Sequence, residues 1–589
     1  MSTAHVPQQS QPPQPSQSAS ASEAPPPTPP HASEATRLLC AGAYLDSGYR
    51  DRVIGELHLN EQRIVAPSLG FDAARVLAHA LRARRQELLW AGTIIGLWMV
   101  GTPLSGGLLG VLLWASIWLA LAPWIRGRAA QPPLYRLLPA FLARWWGRLL
   151  FAVMLVVTLV VAFGGGPDTG SSASSYDSYD PSSGYGSSAP DDFDFTDVLL
   201  PTGKPWQAWV TLVVLVLIGL CVHAQRSQVS RALAAELSPE RFPDAAGDPA
   251  EQAENPRFQR LKQRIRLEQH APLIMYNEAH PFCGAGAAYD TWVLAVELKP
   301  DELKKKQQLS NRTILEKVRP LLEQLRIPAE FAGNGVRDRL RWLEVDECVF
   351  LPAEGLLRRD QAPYTPQAFE EHRARAVEEG AEKRRHFLRI RVGGWEEELV
   401  VTVFVRVHTQ GRMLMLEIAP HVLTPVRPDF KEADRMAHRF RHNTALGKAA
   451  AAAVLVPGSL GRALGQLGRG LVYVWRVATG GYAGALPDGP ALSVRELGSA
   501  PTGSLFQEMD VARYLKNVQD RVANGVRAAL AESGYETGEF VQKVVNISNG
   551  DVNIGRVEGS TFAVGSHASA ASSTVGGAAP QKGADSDVR

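Results

Sequence analysis

Residues 88–125 read LLWAGTIIGLWMVGTPLSGGLLGVLLWASIWLALAPWI and contain no Asp, Glu, Lys or Arg. A single helix of that length would extend about 57 Å at ~1.5 Å per residue. The hydrocarbon layer of a bilayer is only ~30 Å thick and needs ~20 residues. Gly101-Thr102-Pro103 interrupts the run. It therefore reads as two helices, 87–100 and 104–125, turning at that break; a re-entrant pair is the alternative, because the first arm is short. Two further apolar runs follow. Residues 146–164 contain LLFAVMLVVTLVVAF (149–163), and residues 206–223 read WQAWVTLVVLVLIGLCVH. The expectation is four transmembrane helices within residues 87–224.

Orientation follows from the basic residues, because Lys and Arg near span ends stay in the cytoplasm. Arg82, Arg84 and Arg85 precede the first span. Arg126, Arg128, Arg136, Arg144 and Arg148 fill the connection between the second and third, and Arg226 and Arg231 follow the fourth. The connection 165–205 carries seven aspartates against Lys204. An even number of crossings places both termini in the cytoplasm and this acidic, Gly/Ser/Tyr-rich loop outside. No ionisable residue sits in the middle of a span, and intramembrane charge commonly marks an ion or proton path. Gly106, Gly107 and Gly110 offer either close helix contact or turn flexibility.

The whole chain of 589 residues has a net charge of +2, so no broad basic field points to nucleic acid. Cys40, Cys221, Cys283 and Cys348 are scattered, with no CxxC pair. Neither a disulfide framework nor a zinc site is expected. No cleaved signal peptide is read at the N-terminus.

Residues 1–34 are rich in Pro, Ser, Gln and Ala and cannot bury enough surface to order themselves, which predicts a disordered tail. Residues 35–86 form a juxtamembrane helical module, with a helix over 71–81. Residues 225–255 read as connector. Residues 256–430 read as a cytoplasmic α+β domain: a basic helix over 256–270, a strand over 292–298, an amphipathic helix over 311–327, a strand over 342–351 and a charged helix over 366–384. Strands over 387–392, 398–408 and 413–418 then predict an antiparallel meander. Residues 431–540 read as helical. Within them Arg462, Arg469 and Arg476 recur every seven residues on one face of a helix. That face either contacts an anionic membrane surface or points to water while the helix docks on the core. Residues 541–566 contain VVNISNGDVNIG (544–555), where Asn549-Gly550 signals a hairpin turn. That hairpin is a candidate for pairing with another subunit or a protein partner. Residues 567–589 complete the chain as a disordered tail.

Gly284-Ala285-Gly286, after His280, is half of a phosphate-binding glycine pattern; without GxGxxG or GxxxxGK[ST] it reads first as a tight turn. His280, Gly284 and Gly286 are retained as a possible ligand turn. His438 and His442 share a helix face with Asp434, but Arg435, Arg439 and Arg441 surround them and would repel a cation. No catalytic residue, cofactor or metal ligand is expected.

The stretches TRLLCAGAYLDSGYRDRVIGEL (36–57), RIVAPSLGFDAARVLAHALRARR (63–85), HPFCGAG (280–286) and DVARYLKNVQDRV (510–522), with the Asn/Gly-rich segment near the C-terminus, resemble uncharacterised multi-pass membrane proteins of Streptomyces-type actinobacteria. The resemblance implies a membrane location and transfers no activity. The chain thus reads as a plasma-membrane protein whose partner is the lipid bilayer and whose cytoplasmic region is an interaction, scaffold or sensor module. A membrane-anchored enzyme and a channel or transporter are the alternatives.

Overall fold

The computed structural model describes residues 28–548, apart from 68, 128–131, 164–203, 253–254, 305–306, 327–339, 341, 380, 396–397 and 481–483. Most of the expected N-terminal tail, almost all of the acidic loop and residues 549–589 lie outside the described residues.

Four helices are long and apolar enough to cross a membrane: α3 (Ala73–Leu104), α4 (Leu108–Arg126), α5 (Leu134–Ala162) and α6 (Pro205–Arg231). Their outer surfaces are apolar; Leu89 is 72% exposed and Trp124 79%. A band of exposed Trp, Leu and Phe of this size suits lipid and would be a liability in water. Buried hydroxyls are satisfied inside their own helices. Ser116 Oγ donates to Leu112 O at 3.2 Å and Thr158 Oγ1 to Met154 O at 2.7 Å, which a medium without water requires. Close helix approach occurs at Gly147, where a Cβ would lie 2.7 Å from Leu119 Cγ.

The break expected at Gly101-Thr102-Pro103 is not where the chain turns. Helix α3 continues through Pro103, whose lost hydrogen bond falls in the last helical turn. Ser105, Gly106 and Gly107 make the reversal, and the glycines adopt φ of 60° and 91°. At the other end α3 absorbs the separate helix expected over 71–81. Its 32 residues run about 48 Å, longer than a bilayer core needs. Asp72 caps it, accepting from the N–H groups of Ala74 and Arg75.

The water-facing part contains a mixed seven-stranded sheet, so the expectation of an antiparallel meander holds for its centre only. The strands are β1 (Leu273–Tyr276), β2 (Ala287–Ala288), β3 (Trp292–Glu297), β4 (Leu343–Pro352), β5 (Arg385–Gly394), β6 (Leu399–Gln410) and β7 (Met413–Leu423). The order is β1-β4-β5-β6-β7, with β2 and β3 both on the far edge of β7. Strand β1 runs parallel to β4, Leu273 opposite Val349. Its four residues, LIMY, are too few to show an alternating pattern. The hairpins β5–β6 and β6–β7 pair Val392 with Val401 and Val405 with Ile418.

Strand alternation divides the side chains between two faces. Leu388, Ile390, Val403, Val405, Leu416 and Ile418 join a core with α8 (Asn311–Glu323) and α13 (Leu505–Glu532). The two helices meet where Gly525 faces Val318. The expected split between residues 256–430 and 431–540 therefore does not exist as a packing boundary. On the other face Phe350, Phe387 and Phe404 cluster with Phe282 and His421.

A second core joins segments far apart in sequence. Helices α1 (Glu34–Leu45) and α2 (Ser47–Ile54), the first third of α3, residues 232–242, Ile265 of α7 (Pro256–His270) and α10 (Pro428–His442) pack together through Leu39, Tyr49, Leu77, Phe242 and Phe430. Residues 225–255 are thus no free connector, because Leu233, Leu237 and Phe242 are buried. The tail expected to end at 34 is ordered from about Pro30, and Ser33 caps α1.

The hairpin expected over 544–555 is replaced, in its first half, by α14 (Gly538–Ser548). Phe540 and Val544, four residues apart, reach the sheet core. The turn expected at Asn549-Gly550 lies outside the described residues, together with the rest of the expected strands.

Candidate functional site

Helix α3 passes from the second core into the bundle of four long apolar helices. Residues 73–83 of α3 are almost wholly enclosed by protein, whereas Leu89, Met99 and Val100 face outward. The enclosed half is fixed by a buried polar cluster. Asp248 Oδ2 accepts from Arg75 Nε at 3.0 Å and a second Arg75 nitrogen at 2.8 Å, and lies 2.9 Å from His79 Nε2. Arg75 also donates to the carbonyls of His31 (2.7 Å) and Phe242 (2.8 Å), and its guanidinium stacks on the Phe242 ring at 3.7 Å. Burial works to raise the Asp248 pKa, but His79, the Ala250 N–H and Arg75 outweigh it and hold the carboxyl well below the usual range.

A basic cleft opens beside this rod, where the enclosed half ends. Its cavity of about 560 Å³ lies between α3, α7 and the side of Tyr473. Arg82, Arg84 and Arg85 enter from α3, and Arg257, Arg260 and Arg264 from α7. Three of the six have carboxylate partners: Arg82 with Glu236, Arg84 with Asp51 and Arg257 with Glu61. Arg85, Arg260 and Arg264 have none among the described residues. Among the described residues Glu61 is the only acid lining the cavity, and Leu88, the first residue of the apolar run, forms part of the wall.

Helices α11 (Ala445–Ala453) and α12 (Ser459–Ala478) complete the junction. Leu460 and Ala463 pack into the core of the apolar four-helix bundle. Gly470 sits against Leu88, and Gly461 against Ala120 of α4. Of the arginines singled out there, Arg462 donates to Leu455 O at 2.8 Å, Arg469 lies 3.4 Å from Asp51 and 3.8 Å from Glu87, and Arg476 is exposed. Glu87 is the common anchor: it pairs with Arg50 and accepts from Gln466 at 2.6 Å.

The turn at 280–286 is filled by the protein itself. Glu496 Oε1 accepts from the N–H groups of Gly284 (2.8 Å) and Gly286 (2.9 Å), where an anionic ligand would have to sit. Both glycines have φ near 100°, and a Cβ on either would collide with backbone. His280 is exposed, and Phe282 plugs the aromatic cluster, 4.6 Å from the His421 ring. At the other histidine pair, Asp434 is engaged by Arg37. Among the described residues no group of three His, Cys, Asp or Glu is placed to hold a metal.

Residues 291–560 match the family model of the AbeC-like domain. The match begins at β3, so β1 and β2 of the same sheet lie before it, as do α3 and α7. It takes in α11 and α12, which pack against the apolar four-helix bundle. The match covers less than half of the chain and brings no activity with it. No curated protein and no solved structure matches the chain.

Sequence reading assigned Arg82, Arg84 and Arg85 to membrane topology and 256–270 to a basic helix, without bringing them together. The spacing of Arg260 and Arg264, four residues apart, was the available signal. Nothing local pairs Asp248 with Arg75, 173 residues away.

Proposed function

We propose that this is a membrane-anchored cytoplasmic interaction module, a scaffold or sensor, in which four spans hold the AbeC-like domain against the inner leaflet. The arginine pattern supports both termini in the cytoplasm. The patches shared with actinobacterial multi-pass membrane proteins fit this setting. One observation carries the reading: α3 is a single helix with one half in the core beside the AbeC-like domain and the other in the bundle. A displacement of the span therefore acts directly on the water-facing core, and a partner bound to that core acts on the span.

Orientation and role are tested together with cysteine variants. In a Cys221→Ser, Cys283→Ser background, Leu303→Cys places a thiol at a site 94% exposed on the AbeC-like domain. A membrane-impermeant maleimide labels it only in opened cells. Labelling in intact cells overturns the topology. Cross-linking from the same thiol, and from Leu357→Cys, captures a second copy or one defined partner in native membranes. Recovery of monomer alone overturns the interaction role.

A further inference from the structure

We infer that the basic cleft between α3 and α7 binds the phosphate headgroup of an acidic phospholipid. The first ground is unbalanced charge. Six arginines converge on a cavity of about 560 Å³, and Arg85, Arg260 and Arg264 have no carboxylate partner among the described residues. Guanidinium groups offer paired donors that match phosphate oxygens, and they are easier to desolvate than ammonium groups. The paired members have a complementary role. Glu236, Asp51 and Glu61 hold Arg82, Arg84 and Arg257 in place, so the cleft is partly organised before a ligand arrives. Arg84 is fixed further by stacking on Tyr473 at 4.4 Å and by donating to Arg469 O at 2.9 Å.

The second ground is depth. The wall of the cleft includes Leu88, and the next residue, Leu89, is 72% exposed on the outer face of the span. A ligand with phosphate among the arginines has its remaining bulk directed along an apolar helix surface. That geometry suits a lipid, with headgroup in the cleft and chains beside α3; a free phosphate ester would leave the apolar side unused. Basic pockets at span ends on the cytoplasmic side are suited to such headgroups. Arg82 lines both this cavity and a second one of about 830 Å³ containing Asp248. Occupancy of the cleft thereby adjoins the cluster that fixes α3.

The inference rests on the proposed orientation only for which leaflet supplies the lipid. Binding in detergent is independent of it. The full chain in neutral detergent is titrated with dioctanoyl phosphatidic acid, dioctanoyl phosphatidylcholine and glycerol 3-phosphate, with affinity read by microscale thermophoresis. Phosphatidic acid is expected to bind at least about tenfold more tightly than either of the others. The double variant Arg260→Gln, Arg264→Gln should weaken it by about tenfold or more. Its unfolding midpoint without lipid should be unchanged, since both side chains are exposed and have no carboxylate partner among the described residues. Arg85→Gln should weaken binding independently. Equal binding of phosphatidylcholine, undiminished binding by both variants, or glycerol 3-phosphate binding as tightly as phosphatidic acid overturns the assignment.

Discussion

Replacing Asp248 by Ala should be among the most damaging single changes in the water-facing part. The carboxylate serves Arg75 twice and adjoins His79, while its Oδ1 accepts from the Ala250 N–H at 2.9 Å. The Arg75 side chain is only 1% exposed. Without Asp248 its charge keeps two carbonyls and a ring but no counter-ion. Breaking one side of a buried pair costs about 3–5 kcal/mol. Arg75→Met in the same chain removes the stranded charge, so the double variant should recover a large part of the loss. The assay is urea unfolding of the full chain in mild detergent, followed by far-UV circular dichroism. Asp248→Ala within about 1 kcal/mol of the parent, or strictly additive losses in the double variant, would refute the reasoning. The pH dependence has a definite sign. The folded carboxyl is held below its unfolded value of ~3.9. Its contribution is therefore complete above pH ~4 and fades only as pH falls towards the folded pKa.

His421 gives the opposite use of a buried titratable group. Burial among Phe282 and Phe404 pushes its pKa down to about 4, with its bond to Ala419 O opposing. The unfolded imidazole, at ~6.5, takes up protons first, so stability declines as pH falls from ~6.5 to about 4, by about 3 kcal/mol in all. His421→Phe should flatten that part of the stability–pH curve; an unchanged slope counts against it. At Gly525 a Cβ would lie 2.8 Å from Val318 Cα, so Gly525→Leu must push α13 off α8. Overpacking of this kind costs about 1–3 kcal/mol, read as a lowered urea midpoint, and a neutral result would deny the close helix contact.

What could be read from the chain was what repeats locally. Long apolar runs gave four spans, and alternation with Gly-rich turns located β5, β6 and β7 within a few residues. Helical spacing found α8, and the helical reading of 431–540 took in α13. Partners distant in sequence left no such mark. Strand β1 carries only LIMY, and its parallel partner β4 begins only at Leu343, far along the chain. The union of the helix expected over 71–81 with the first span was hidden by Arg82, Arg84 and Arg85, which read as a boundary. They interrupt hydrophobicity without interrupting the helix, because Ala, Leu, Arg, Gln and Glu all favour helical backbone. The cleft was invisible for the same reason. Its arginines form two local clusters, each with an adequate separate explanation, and only α3 packing on α7 brings them together. The turn at 280–286 shows the converse: glycines that read first as a tight turn, with a ligand as the alternative, serve a carboxylate 210 residues downstream.

Coupling between span and core requires α3 to be unbroken where it leaves the second core for the apolar bundle. Amide hydrogen exchange of the full chain in lipid nanodiscs, resolved over residues 82–92, addresses this directly. Exchange as slow there as over residues 74–81 is the predicted result. Rates close to those of unstructured chain would mean a hinge at the membrane surface and would contradict mechanical coupling between span and core.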